Sequence, residues 1–319
     1  MRVLLLGGAG FIGLHLAARL VADGHEVTVI DDFSRGRRDP ELAGLADRIE
    51  IRSADLTDPA SYAGLEHRWD HVYLLAAVVG VRNVVSDPAR VIRVNTLVLM
   101  HLLDWIAPGA RLFFASTSEA YAGGVSSGVV PVPTPESVPL VIEDVGSPRY
   151  TYAISKLLGE AAVLHTAAAK GFGAVVGRFH NVYGPRMGAD HVIPELSLRA
   201  LRGADPFDLY GADQSRAFCY VDDAVRAMMA LMDTPEAGGR IVHIGDDTEE
   251  TNIGDLAKLV LRVAGVSPAI RVLPAPTGSV ARRCPDLTLL RRLTGYEPRV
   301  PLEEGVRRTY TWYRESWTG

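Results

Sequence analysis

Leu4-Leu5-Leu6-Gly7-Gly8-Ala9-Gly10-Phe11-Ile12-Gly13, near the start of this 319-residue chain, is the stretch that decides its fold. Val3–Leu6 reads as a buried strand, and Phe11–Ala22 sets Phe11, Ile12, His15, Leu16 and Leu20 at helical spacing. Between them the glycines fall as Gly-x-x-Gly-x-x-Gly. Gly7 and Gly10 let the backbone turn sharply and approach a pyrophosphate. Gly13 lets the helix lie close to the strand, with its N-terminus facing the phosphates. The next strand, Glu26–Ile30, ends at Asp31, near the ~20-residue spacing expected of a carboxylate that holds the adenosine ribose hydroxyls. A carboxylate there repels a 2′-phosphate, so the stretch predicts an NAD site rather than an NADP site. Phe11, Ile12 and Asp32 are expected beside the cofactor, and Asp55-Leu56, after a third short strand, at the adenine. Arg35 reads either as a phosphate acceptor or as a solvated loop arginine.

Working outward, Val72–Ala76, Leu112–Ser116 and Ala174–Phe179 are further apolar strands, and Pro88–Ile106 and Tyr152–Ala169 are long helical patterns between them. This alternation predicts an α/β fold of Rossmann type, a doubly wound parallel sheet over residues 1–180. Past residue 180, prolines and glycines such as Gly184-Pro185, Pro206, Pro285, Pro298 and Pro301 punctuate shorter elements. Residues 181–319 therefore read as a smaller C-terminal α/β substrate-binding lobe, with some exchange of chain between the two. Ala122–Pro148 reads as a long loop, of the kind that forms a lid or a binding loop.

Composition narrows the function. Lys+Arg 33 against Asp+Glu 38 gives a net charge of -5, which argues against a protein that coats nucleic acid or an acidic membrane. Cys219 and Cys284 alone make no disulfide framework. No apolar run reaches the ~18–20 residues of a membrane span, and Met1-Arg2 leads straight into a strand rather than a signal peptide. A cytoplasmic protein is expected. The nine histidines are scattered, so no metal site is expected.

Tyr152 and Lys156 stand one helical turn apart on one face. Lys156 is expected to lower the pKa of the phenol and bind the nicotinamide ribose. Tyr152 would then take the proton from a sugar hydroxyl as hydride leaves.

With these motifs the chain resembles the extended short-chain dehydrogenase/reductases that act on nucleotide-sugars. The resemblance also rests on Ser116-Thr117-Ser118-Glu119-Ala120-Tyr121, on Arg178-Phe179-His180-Asn181-Val182-Tyr183-Gly184-Pro185-Arg186 and on Ser215-Arg216-Ala217-Phe218. It implies that Thr117 hydrogen-bonds the reacting hydroxyl beside Tyr152. It further implies that Asn181, Arg216 and Arg283 serve the substrate diphosphate, that Arg186 binds the substrate, and that Tyr210 stacks on the base. A homodimer through a four-helix bundle, built from Pro88–Ile106 and Tyr152–Ala169, is the matching expectation.

Thr117-Ser118-Glu119 resembles UDP-glucuronate decarboxylases most, and NDP-hexose 4,6-dehydratases as an alternative; a UDP-glucuronate 4-epimerase is a third. Oxidation at C4 would place a ketone β to the C6 carboxylate, which then leaves as carbon dioxide. Glu119 and Ser118 are the nearest candidates to steady the enolate and protonate C5, and reduction gives UDP-xylose unless the 4-keto pentose is released. Two departures stand out. Ala77–Asn83 replaces a Ser/Pro-rich segment with a tyrosine, so Arg82 is expected either to receive the carboxylate or to be solvated. His180 replaces an aromatic or apolar residue, and is expected to be packed and hydrogen-bonded or to touch the sugar.

Overall fold

The computed structural model describes residues 1–275 and 279–316. The main sheet has seven strands: β1 (Arg2–Leu6), β2 (Glu26–Asp31), β3 (Ile49–Ser53), β4 (His71–Leu74), β5 (Arg111–Thr117), β6 (Gly173–Phe179) and β7 (Arg240–Ile244). They lie in the order β7-β6-β5-β4-β1-β2-β3 with every neighbouring pair parallel. Parallel neighbours need crossover connections, and helices then cover both faces. Those helices are α1 (Phe11–Ala22), α2 (Pro88–Trp105), α3 (Thr151–Lys170) and α4 (Val221–Asp233).

β1 shows why its sequence lacks polar alternation. Val3 and Leu5 pack with Leu14, Leu16 and Leu20 of α1 and with Val225 and Met228 of α4. Leu4 and Leu6 face the other way, onto Val98, Leu99 and Leu102 of α2 and Val163 and Ala167 of α3. A strand buried on both faces must be apolar at both parities. The fold is the doubly wound sheet expected.

Strand order reverses between β1 and β4, which places a crevice at the carboxyl ends of these two strands. Gly7 leaves β1 there at φ +86°, and a Cβ on it would lie 2.4 Å from the Ala76 backbone nitrogen. The two chains can pass only because that position carries no side chain.

The main sheet draws on chain beyond residue 180, since β7 takes the free edge of β6 and α4 covers one face. The smaller lobe holds a three-stranded sheet of Ser215–Ala217, Glu250–Asn252 and Arg282–Arg283, whose register sets Arg283 beside Arg216. The Ala122–Pro148 stretch has one short helix, Ala122–Ser126, and is otherwise irregular apart from its last residue. It is tied to the lobe, because the Thr134 N–H donates to the Cys284 carbonyl (2.9 Å) and the Asp286 N–H donates to the Thr134 carbonyl (2.8 Å). Among the described residues no helix is long and apolar enough to cross a membrane.

Candidate active site

The glycine-rich turn forms a cradle that side chains would fill: a Cβ on Gly13 would lie 2.6 Å from the Gly8 Cα. α1 begins at Gly10 with no side-chain cap and no acidic residue in its first turn, so its N–H groups remain open to an anion. The Asp31 carboxylate accepts from the Ala9 N–H (3.0 Å) and the Phe33 N–H (2.8 Å), which fixes it at the end of β2 beside that turn. Burial pushes its pKa up, and these two N–H groups oppose the shift. Asp32 caps Ser34 through backbone and hydroxyl, and Asp55 does the same for Thr57. Asp32 and Asp55 are exposed, Leu56 is buried, and Phe11 and Ile12 are half-buried at the start of α1. These residues fit a dinucleotide whose diphosphate meets the helix N-terminus.

Arg186 does not join the substrate ligands expected of it. Its guanidinium is buried beneath the glycine turn, donating to the carbonyls of Ala9 (2.8 Å), Gly10 (3.0 Å) and Arg37 (2.9 Å) and pairing with Asp39 at 2.6 Å. With its nitrogens so committed, it braces the cofactor loop. The reason lies in backbone direction: Arg186 has φ +70°, which turns the chain after Gly184-Pro185 back toward α1.

Across the crevice, Tyr152 stands in the first turn of α3 and Lys156 one turn later. Lys156 is buried, with Nζ 4.9 Å from the Phe114 ring centroid and 5.8 Å from that of Tyr152. Burial pushes its pKa down to about 8, against the pull of Glu160. Burial raises the Tyr152 phenol, and so does the charge of Glu119, while Arg35 and a hydrogen bond from Thr117 lower it. Arg35 is exposed, yet its guanidinium donates to the Val79 carbonyl and its charge reaches Tyr152.

Thr117 ends β5, and its Oγ1 accepts from the Glu119 N–H (3.2 Å), capping the Ser118–Tyr121 turn. Glu119 meets Arg283 in a bidentate pair at 2.5 and 3.0 Å. Burial works to raise its carboxyl, but Arg283, Arg149 and Arg216 together hold it below the ordinary glutamate range. Burial and the neighbouring cations Arg283 and Arg149 push Arg216 down to about 10, with Glu119 opposing. Three arginines therefore converge on one carboxylate. Such a cluster suits a ligand with more than one negative charge.

Sequence reasoning missed Arg149, three residues before Tyr152, whose buried Nη2 has no hydrogen-bond partner among the described residues. It also missed Asn95, whose amide bridges both backbone groups of Val78 and the Ser155 hydroxyl and so locks α2, α3 and the loop after β4 together. A lone asparagine in an amphipathic helix gave no signal for that. Arg82, expected either to receive the carboxylate or to be solvated, is 80% exposed and among the described residues reaches Asp190, at 3.7 Å. The structure leaves it at the surface, because Val81–Ser86 folds as its own short helix. Asn181 (φ +41°) donates to the Ala217 carbonyl at 2.9 Å, and Tyr210 is exposed at the end of its strand.

Behind Thr117 lies a buried polar cluster. Arg178 pairs with Glu160 through two nitrogens at 2.8 and 2.6 Å and also donates to the Tyr121 hydroxyl. Tyr121 contacts His243 Nε2 at 2.7 Å, while His243 Nδ1 meets the Asp286 carbonyl at 3.1 Å. His180, expected to be hydrogen-bonded if packed, is packed in this cluster, but neither ring nitrogen has a partner among the described residues.

A family model described as the NAD dependent epimerase/dehydratase family matches residues 3–245. The chain belongs to that family. NAD is its cofactor, and the cradle and Asp31 described above are the residues of this epimerase/dehydratase family member suited to hold it. It is 33% identical to a UDP-N-acetyl-alpha-D-glucosaminuronate decarboxylase of Bacillus cytotoxicus, over 98% of each chain. It is also 33% identical to UDP-glucuronic acid decarboxylase 1 of Xenopus tropicalis, over 98% of this chain and 72% of that one. Among solved structures, UDP-glucose 4-epimerase of Thermotoga maritima with UDP-glucose superposes with a TM-score of 0.86 at 30% identity, covering 98% and 99% of the two chains.

Proposed function

We propose that this family member is a nucleotide-sugar decarboxylase acting on UDP-glucuronate. The observation that carries the reading is the Glu119–Arg283 pair beside Tyr152 and Thr117, in a cleft that also holds Arg149 and Arg216. A C4 epimerase needs only proton and hydride transfer at one carbon. A carboxylate–guanidinium pair on the neighbouring side suits chemistry at C5 and C6, and the decarboxylase names of the relatives agree with it.

NAD, when bound, accepts hydride from C4 and returns it. The residues of the chain do the rest. Tyr152 takes the C4 hydroxyl proton, with Thr117 holding the same oxygen. Once C4 is a ketone, the C5–C6 bond breaks, carbon dioxide leaves, and the electron pair passes to the C4 oxygen as an enolate that Tyr152 and Thr117 stabilise by hydrogen bonds. Glu119, kept ionised by Arg283, holds that guanidinium in place rather than giving up a proton. The Ser118 hydroxyl, next in the turn, is then the donor to C5. Asn181, Arg216 and Tyr210 are assigned to the UDP moiety.

The test is incubation of the NAD-loaded protein with UDP-glucuronate and mass spectrometry of the products. Loss of carbon dioxide, giving UDP-xylose or its 4-keto precursor, is expected. A product of unchanged mass would make it an epimerase, and loss of water from an NDP-glucose would make it a dehydratase.

A further inference from the structure

His180 ends up where a histidine is costly. It is 2% exposed, its ring centroid lies 4.5 Å from that of His243, and a Cβ on Gly245 would sit 3.2 Å from its own Cβ. The other members of the cluster are satisfied: His243 has a partner on each nitrogen, and Tyr121 and Arg178 are hydrogen-bonded. Among the described residues both His180 nitrogens are left without one. The ring lines a recess of about 10 Å³ whose other walls include Ser118, Thr134, Arg283 and Cys284. That is the volume one water molecule needs, and a buried water requires two or more polar partners. The recess has them in the His180 ring, the Ser118 hydroxyl and the Thr134 hydroxyl, whose own proton goes to the Pro131 carbonyl and leaves its oxygen free to accept.

We propose that this recess binds a single ordered water held by the His180 imidazole, and that His180 thereby positions the Ser118 hydroxyl for proton delivery. Burial and the nearby cations Arg283 and Arg178, with His243, keep the ring neutral, so it offers one donor and one acceptor whatever the pH of the cell. The second half of the inference rests on the decarboxylase reading. Exchange of a carboxylate for hydrogen consumes one proton from solvent. Ser118 passes a proton to C5, forming the C5–H bond. The recess water restores the Ser118 proton and is itself reprotonated from solvent, so one solvent proton enters for each carbon dioxide released. His180 gains and loses nothing in the sum.

The test has two arms. A crystal structure of the NAD-bound wild-type protein is expected to show one water within hydrogen-bond distance of a His180 ring nitrogen and of Ser118 Oγ; a dry recess overturns the proposal. In steady-state assays with UDP-glucuronate, His180→Phe is expected to lower kcat about ten-fold with KM within about two-fold, since a reacting group is displaced but substrate contacts stay. His180→Gln, which keeps a donor and an acceptor, is expected to recover to within about two-fold of wild-type kcat. A His180→Phe protein with wild-type kcat, or a folded Gln variant as slow as Phe, overturns the positioning role. A wild-type protein inert on UDP-glucuronate sinks the decarboxylase reading instead and leaves the water arm standing.

Discussion

Glu119 and Arg283 meet end-on, both terminal nitrogens of the guanidinium donating to the two carboxylate oxygens across 164 residues of chain. The pair closes the cleft between the main sheet and the smaller lobe, because Glu119 follows β5 and Arg283 lies in the lobe's three-stranded sheet. Its partners decide its chemistry. Beside three arginines the carboxylate stays ionised and serves as an anchor. Glu119→Gln is expected to reduce turnover by about 10² or more while leaving NAD affinity unchanged, as steady-state rates and a fluorescence titration with NAD would read.

The same pair sets an acid limb of stability. The folded carboxyl lies below its ordinary value of 4.5, so its contribution is complete above that value and disappears as pH falls through the depressed folded pKa. Denaturant titrations between neutral pH and pH 3 are expected to show a shallower loss in Glu119→Gln than in the wild type. Parallel curves would contradict the assignment.

Lys156 has the same sign for a different reason, since burial disfavours its charge. Its folded pKa of about 8 lies below the ordinary 10.5, so between these values the unfolded chain binds more protons and stability rises with pH. Lys156→Met is expected to flatten that rise and to stabilise the NAD-free protein near pH 7, where a buried charge is removed. Turnover should fall sharply all the same. Urea melts at several pH values measure the first, and the decarboxylation assay the second.

Arg186 and the sugar-side arginines separate by what they lose. Arg186→Met leaves the Asp39 carboxylate and three carbonyls without their partner, a buried pair broken on one side. It is expected to cost about 3 kcal/mol of stability and to weaken NAD binding, with little effect on the KM of the sugar. Arg149→Met is expected to raise that KM about ten-fold or more, because a buried charge-assisted contact is lost. Arg82→Ala, at an exposed position, should stay within about two-fold. Calorimetry with NAD and initial-rate kinetics distinguish all three.

Assembly can be tested on the outer helices. Ile92 and Met100 on α2 and Leu158 on α3 are exposed apolar side chains, 40–46% accessible, on the helices assigned to a dimer interface. Light scattering after size exclusion is expected to give twice the 34.4 kDa chain mass, and Leu158→Glu should shift it toward one chain.

The glycine turn, Asp31, the parallel sheet and the Tyr152/Lys156 pair were legible in the sequence because each depends on near neighbours. A turn geometry, a strand period or one helical turn is a local matter, and local patterns survive in a linear string. The residues whose surroundings were not legible were arginines. Arg82, Arg186, Arg216 and Arg283 look alike in sequence, with long side chains beside turns. Their roles depend on which carboxylate or carbonyl lies within reach once distant segments pack. Arg186 was claimed by Asp39 and the glycine turn, and Arg82 was left at the surface.

The architecture and the cofactor follow from the sequence alone, and so does the placing of Tyr152 and Lys156 one helical turn apart, since these rest on backbone freedom at glycine, burial of apolar runs and helical spacing. Packing alone set which cations face Glu119, put the Lys156 ammonium over the Tyr152 ring, and left His180 beside a recess with no partner among the described residues. Those are electrostatic and hydrogen-bonding facts that depend on distance through space, and distance through space between β5, α3 and the smaller lobe exists only after the chain has folded.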